Sequence, residues 1–254
     1  MTTPQSQISA HLHTTKALPV SPTWLNSFVS SMTAALQRNV PISALTQTAL
    51  FRILASDFRD SLQTDHPSAL LPGDIFDLSV QERRLPGPVP VQVLDIEDIG
   101  TSLWSQVEAI ERVERGEAIR GREIVRAVNV GGGGGEEGDD EEGAGSGNTA
   151  GATASSEKKS HGPHRLIVQD AAGTRAVAIE LKRVQGISVA KLAIGAKMVI
   201  RNATVARGMI LLTPDCITLL GGKIESMDQA WKEGRKARLL ARITEMQGED
   251  QSSG

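Results

Sequence analysis

The stretch from Arg165 to Gly222 constrains the fold most strongly, because it consists of short apolar runs separated by turn residues. Within it, Arg175 to Leu181 alternates between two faces, as a half-buried strand requires. One further alternating run lies far upstream. The pattern predicts strands at Val89 to Ile96, Leu166 to Val168, Arg175 to Leu181, Met198 to Val205 and Met209 to Leu212, with strand pairing resumed at Cys216 to Leu220.

A five-stranded barrel of this size is a candidate OB-fold, although other small barrels share the pattern. Between Arg165 and Gly222 there is no Phe, Trp, Tyr or His. OB domains that bind single strands stack bases on aromatic rings, each contributing about 1–3 kcal/mol. A barrel without such rings is better suited to binding protein than nucleic acid.

Composition excludes several classes of protein. Six acidic residues fall between Glu136 and Glu142, and without their charges the formal net charge of −3 becomes +3, which is too small to predict nucleic-acid binding. The single cysteine, Cys216, excludes an intramolecular disulfide and fits a buried thiol. No apolar run approaches the roughly 20 residues of a membrane span, and the N-terminus lacks the apolar segment of a secretory signal.

Periodicity and low-complexity segments divide the rest of the chain. Ser21-Pro22 is typical of a helix start, and apolar residues then recur at helical spacing as far as Leu62. The glycine-rich acidic segment cannot bury enough apolar surface to fold. The predicted α+β organisation is a flexible tail (1–21), a helical module (22–72), a connector (73–88), an OB-fold barrel (89–222) with an insertion (100–163, disordered over 131–162), a C-terminal helix (223–246) and a tail (247–254).

No constellation of residues indicates catalysis. The glycine run Gly131 to Gly135 is followed by acidic residues rather than by Lys-Ser/Thr, which favours a linker over a phosphate-binding loop. His161 and His164 have no third ligand at metal spacing, which favours surface histidines. No G-x-S-x-G nucleophile elbow occurs. The chain is therefore predicted to be non-enzymatic, without a cofactor, a metal or a small-molecule substrate.

The second half of the predicted C-terminal helix is basic. Contact between this surface and DNA phosphates would be weak, salt-sensitive and independent of base sequence. A solvated helix face is the favoured alternative. The candidate residues for weak DNA contact are Lys232, Arg235, Lys236 and Arg238.

Three groups of residues form sequence motifs in a fixed order between about Trp24 and Ile243. They are Ser56 to Asp60 with His66-Pro67 and Leu70 to Pro72; Gln169-Asp170 with Gly173; and Gly195 to Ile200 with Gly208, Leu211-Leu212, Pro214 and Leu219 to Gly222. Together they resemble, in the correct order, the N-terminal part of the RecQ-mediated genome instability protein 1 family. The first group is similar to the family's T-D-L-R-D…H-P…L-L-P region, the second to the turn after its second barrel strand, and the third to its G-T-K…G…L-L-L-x-P…V-L-G-G signature.

The resemblance implies a non-catalytic scaffold in the nucleus that joins a type IA topoisomerase III to a RecQ-type helicase and contacts DNA weakly or indirectly. Such an assembly stimulates decatenation and dissolves double Holliday junctions without crossover. The implied processes are DNA repair, DNA replication and homologous recombination. An independent single-stranded-DNA-binding OB-fold protein is the alternative function.

The resemblance also implies a role for the insertion, which in the family enters the topoisomerase gate and modulates its opening. The matching segment is about Gly100 to Pro163, although its glycine-rich acidic part departs from the better-known animal version. Aromatic and aliphatic side chains commonly anchor interfaces. Leu103, Trp104 and Val107 recur at the spacing that predicts a helix, and they are therefore the candidate topoisomerase contacts. Packing of this helical stripe on its own barrel is an equal alternative.

Overall fold

The computed structural model describes residues 3–32, 40–119, 122–123 and 162–252 of the chain. Its contacts separate two compact units, one formed by Met1–Val107 with Ser160–Gly254 and the other by Glu108–Lys159. The larger unit contains the helical module, the main β-sheet and the C-terminal helix. Within the described residues, no helix is both long enough and apolar enough to cross a membrane.

Among the residues that the structure describes, four α-helices of the N-terminal module pack around a common apolar core. Ser21 accepts a hydrogen bond from the backbone N–H of Trp24, and Pro22 occupies the first turn, which together start a helix at this point. Phe28, Ile53 and Phe58 are buried in the core that the helices share. The helices are α1 (Pro4–Lys16), α2 (Pro22–Ser31), α3 (Ile42–Ala55) and α4 (Phe58–Ser61).

The expectation of a flexible tail over residues 1–21 is wrong for Pro4–Lys16, which form α1. The Thr3 side chain caps the helix by accepting a hydrogen bond from the backbone N–H of Ser6. Ile8 and Leu12, one turn apart, are buried in the core of the module. With so few apolar residues the segment resembles a polar tail in sequence, and only the partner helices make its burial favourable.

In the part of the chain that the structure describes, the main β-sheet has eight strands and is curled. Its strands are β1 (Glu82–Leu85), β2 (Val89–Asp98), β5 (His164–Gln169), β6 (Arg175–Glu180), β7 (Lys197–Ile200), β8 (Ala203–Ala206), β9 (Met209–Leu212) and β10 (Ile217–Gly221), and β3 (Ala118–Ile119) pairs separately with β4 (Arg122–Glu123). The strand order is β1-β8-β9-β6-β5-β2-β7-β10, with only β6 and β9 parallel. Since β7 and β8 lie towards opposite ends of this order but are separated by only two residues of chain, the sheet must curl.

Two expectations about strands are wrong. The sequence pattern predicts no strand in the connector over 73–88, but Glu82–Leu85 forms β1 and pairs with β8. The single strand expected from Met198 to Val205 is interrupted by Asn202, whose φ of 49° turns the chain while its backbone N–H donates to the Pro86 carbonyl. A short charged strand such as β1 carries little period-2 signal, so its partner strand decides its conformation.

One helix lies near the start of the insertion, and another follows the last strand of the sheet. The first is α5 (Leu103–Glu114). Most of the part of the insertion that was predicted to be disordered, 131–162, lies outside the described residues. The C-terminal helix α6 runs over Glu225–Ser252, which is longer than the predicted 223–246. The tail expected over 247–254 is therefore wrong as far as Ser252, because one glycine, Gly248, costs a helix only about 1 kcal/mol.

A buried polar network joins the helical module to the sheet. The Lys197 side chain is fully buried, and its Nζ donates to Oε1 of Gln92 at 3.2 Å and to the Gly195 carbonyl at 2.7 Å. The same Gln92 oxygen accepts a bond from the Phe58 backbone N–H at 3.0 Å, and Gln92 Nε2 donates to Asp57 at 2.9 Å. The Lys197 ammonium also lies 5.0 Å from the centre of the Phe58 ring. We call these residues the module–sheet joint.

The charges of the joint depend on their neighbours. Burial lowers the pKa of Lys197 to about 8, and the nearby Asp57 carboxylate opposes this shift. Burial also acts to raise the pKa of Asp57, but hydrogen bonds from Arg59 and Gln92 outweigh it and lower the pKa. The joint is therefore an ammonium and a carboxylate linked through the Gln92 amide, rather than a direct ion pair.

Two glycines allow close backbone contact around the joint. A Cβ atom on Gly222 would lie 2.4 Å from the Leu54 carbonyl oxygen of α3, and one on Gly195 would lie 2.4 Å from the Ile224 backbone nitrogen. Both glycines have φ near +80°, which disfavours other residues even without the clash. These positions let α3 and the start of α6 pack directly on the sheet.

We expect the stability of the protein to rise with pH across the titration of Lys197. Its pKa is about 8 in the folded state against an ordinary value of 10.5, so the unfolded chain holds more protons between these values. The gain should reach at most about 3 kcal/mol, and Lys197→Met should remove it. Urea unfolding of both proteins at several pH values measures the difference. Lys182→Met, which removes an exposed lysine, should retain the wild-type slope.

Asp170→Asn should destabilise the fold by about 2 kcal/mol. The buried Asp170 carboxylate accepts one bond from the Leu71 backbone N–H and another, on its other oxygen, from that of Thr174, both at 2.8 Å. Burial raises its pKa although these bonds favour the charged form. Asparagine has one carbonyl oxygen and would turn an N–H group towards one donor. A denaturant midpoint no lower than that of the exposed control Asp65→Asn would contradict this account.

Candidate interaction site at the root of the insertion

The two ends of the insertion meet where β2 ends and β5 begins. Asp98 and His164 are partners in the register of these strands, and the Ile99 backbone N–H donates to the Pro163 carbonyl at 3.1 Å. A Cβ atom on Gly100 would lie 2.4 Å from the Cα of Gly162, so the two backbones are in direct contact. We call Asp98–Val107 together with Gly162–His164 the insertion root.

Asp98 and Ser102 fix the start of α5. One carboxylate oxygen of Asp98 accepts hydrogen bonds from the backbone N–H groups of Gly100 at 2.9 Å and Thr101 at 3.1 Å. Ser102 then accepts a bond from the Ser105 backbone N–H at 3.2 Å, which is the usual N-cap geometry. The turn between β2 and α5 is therefore specified by short side chains that replace the missing backbone partners.

Gln106 links three parts of the root. It is buried, and its Nε2 donates to the carbonyl oxygens of Asp98 and Thr101, both at 2.9 Å. Its Oε1 accepts a hydrogen bond from Arg235 of α6 at 3.0 Å. One amide therefore ties the first turns of α5 to both β2 and α6.

The returning end of the insertion is held by a buried pair. His164 was expected to be a surface histidine, and this is wrong: both its backbone N–H and its Nδ1 contact Glu180 Oε2, at 3.0 Å and 2.5 Å. The other Glu180 oxygen accepts a bond from the Val184 backbone N–H. His161 lies outside the described residues. In sequence His164 adjoins a Gly-Pro loop, which concealed its role as the first residue of a strand.

The predicted topoisomerase-contacting residues differ in exposure. Trp104 is 59% exposed, Leu103 is half-buried, and Val107 is only 3% exposed. Ile99, at the end of β2, is 48% exposed. The root thus holds α5 so that one large aromatic side chain faces solvent, while Val107 packs inward, as the alternative of packing within the protein requires.

The candidate DNA-contacting residues make contacts within the protein. Lys232 forms an ion pair with Asp228 at 2.5 Å, and Asp228 also accepts a bond from the Ile194 backbone N–H. The guanidinium groups of Arg235 and Arg238 lie 5.7 Å and 5.6 Å from the centre of the Trp231 ring, and Arg238 donates to the Trp231 carbonyl. Lys236 is half-buried and also has a partner. These contacts hold α6 together and against the sheet.

The larger unit also contains a cleft of about 400 Å³ beside the joint, lined by Asp57, Arg59, Leu94, Asp95, Ile167, Gln169, Arg175 and Met227. Its lining has two carboxylates and two guanidinium groups, so its net charge is zero, and Asp57 already forms an ion pair with Arg59. Among the residues that the structure describes, no group of three or more His, Cys, Asp or Glu side chains could hold a metal ion.

Comparison with known proteins gives matches across both parts of the fold. Residues 12–61 match the family model "RMI1, N-terminal helical domain", and residues 71–235 match "RMI1, N-terminal OB-fold domain". The chain is also similar to "RecQ-mediated genome instability protein 1" of Schizosaccharomyces pombe, with 26% identity over 211 residues, which cover 81% of this chain and 83% of that relative. The predicted fold class, a helical module followed by an OB-fold with a C-terminal helix, is confirmed.

Proposed function

Since this chain belongs to the family of RecQ-mediated genome instability protein 1 (RMI1), we propose that it is a non-catalytic scaffold that acts with a RecQ-type helicase in genome stability. The name of its S. pombe relative joins a RecQ protein to genome stability, which supports this coarse assignment. In finer terms, the proposed assembly includes a type IA topoisomerase III. It acts in the nucleus, where it stimulates decatenation and dissolves double Holliday junctions.

The observation that carries the proposal is the exposure of Trp104 on a firmly held root. Tryptophan is enriched among the residues that contribute most to protein–protein binding. An exposed segment normally loses backbone conformational entropy on binding, but here Ser102 and Gln106 already fix the helix that bears Trp104. An aromatic side chain on a preorganised helix at the start of the insertion suits an insertion that docks on a large protein partner.

The strand surface supports a protein partner rather than a nucleic acid. The strands of the main sheet contain no Phe, Trp or Tyr, and the ring of His164 is buried against Glu180. Bases therefore find no aromatic ring on these strands on which to stack. The basic residues of α6 bind Asp228, Gln106 and the Trp231 ring, and these partners compete with phosphates for them.

We expect Trp104→Ala to weaken binding to topoisomerase III by at least about tenfold and to abolish stimulation of decatenation, as loss of a central aromatic anchor does. Its unfolding midpoint should match that of the wild type, because the side chain is mostly exposed. Phe51→Ala is the matched control, since Phe51 is 71% exposed on the helical module, away from the root. Co-purification and a decatenation assay give the two measurements.

The possible outcomes test the scaffold function and the role of Trp104 separately. If the wild-type chain neither binds topoisomerase III nor changes its activity, the scaffold function proposed here is wrong. If Trp104→Ala and Phe51→Ala behave alike while the wild type binds, the scaffold stands and Trp104 is not its anchor. Salt-resistant submicromolar affinity for an oligonucleotide, lost on mutation of sheet residues, would instead establish the single-stranded-DNA-binding alternative.

A further inference from the structure

We propose that Arg235 is a positioning residue that sets the orientation of Trp104 by holding Gln106, and that this residue serves that purpose rather than DNA binding. The inference rests on the proposed function in one respect, namely that Trp104 contacts the topoisomerase. It goes further by assigning a role to a residue of α6 that is remote in sequence from the insertion.

A continuous set of contacts connects the sheet to α5 through α6. Trp231 donates from Nε1 to Asp95 of β2 at 2.5 Å and packs against the apolar core of the sheet. The Arg235 guanidinium lies 5.7 Å from the centre of the Trp231 ring and donates to Gln106 at 3.0 Å. The position of Gln106 is thereby fixed relative to the sheet by two independent routes, one through α6 and the other through the Asp98 carbonyl.

Helix geometry converts the position of Gln106 into the direction of Trp104. Residues of an α-helix are separated by about 100° of rotation, so Trp104 and Gln106 lie about 200° apart. When Gln106 is held inward, Trp104 must point outward, which agrees with their burial. A rotation of the first turns of α5 would bury Trp104 and expose the amide.

Arginine is well suited to this position. Its guanidinium is planar and stays charged at all physiological pH values, so it can lie over the Trp231 ring and donate to Gln106 at the same time. A hydrogen bond from a charged donor is also stronger than a neutral one. The strength of the link therefore does not depend on the protonation of Arg235.

The test compares Arg235→Met with Arg238→Met in the full-length chain. Both variants remove one positive charge from α6 and one guanidinium from beside Trp231, but only Arg235 bonds to Gln106. Amide hydrogen exchange over residues 98–107 needs no partner. It should become about tenfold faster in Arg235→Met, from loss of a charge-assisted bond, and change less than about twofold in Arg238→Met.

Binding to topoisomerase III should follow the same order. Arg235→Met should weaken it about tenfold, while exchange in the β2–β5 pair and the unfolding midpoint stay close to those of Arg238→Met. Equal exchange over 98–107 in the two variants would overturn the positioning role, whatever the partner does. Faster exchange without loss of topoisomerase binding would show that the orientation of Trp104 does not matter. A wild type that does not bind at all would instead count against the proposed function.

A nucleic-acid measurement completes the design. The affinity of the chain for a single-stranded oligonucleotide should differ less than about twofold between the wild type, Arg235→Met and Arg238→Met at physiological salt. A similar weakening in both variants, with a reduced salt dependence, would show that α6 binds phosphates and would overturn the inference.

Discussion

The helical module and the sheet are built around one buried lysine side chain. Lys197 lies in a strand that pairs with both β2 and β10, and through Gln92 it reaches the backbone of Phe58 and the carboxylate of Asp57. Burying a charge is costly unless hydrogen bonds and an opposite charge compensate it. The helical module supplies that compensation. Module and sheet are therefore energetically coupled, and neither buries this side chain favourably without the other.

The residues that carry the family resemblance meet at this joint. Asp57 and Phe58 come from the first motif, and Gln169, which accepts a bond from Gln92, comes from the second. Gly195 and Lys197 come from the third, and Gly222, at its end, lies against Leu54. These motifs are far apart in the chain and adjacent in the fold. Their role is to join two parts of one protein. The surface proposed to bind a partner lies elsewhere, at the insertion root, which contains no residue of the three motifs.

The candidate site was predictable only in part. The helical spacing of Leu103, Trp104 and Val107 predicted α5, and composition drew attention to the basic residues of α6. Spacing alone could not tell which residue of the stripe faces solvent, since Trp104 is exposed and Val107 is buried. The Arg235–Gln106 bond joins residues 129 positions apart, and no local pattern signals such a contact.

The sequence by itself determined the secondary structure that arises from local signals: the capped helix at Ser21-Pro22, the alternating strands of the sheet, and the lack of aromatic residues on them. Tertiary structure alone decided the rest. Two buried side chains turn the N-terminal segment into α1, β8 makes a strand of Glu82–Leu85, and His164 becomes a buried partner of Glu180. The physical reason is common to all three, because each is stabilised by groups that the chain brings close only when it folds.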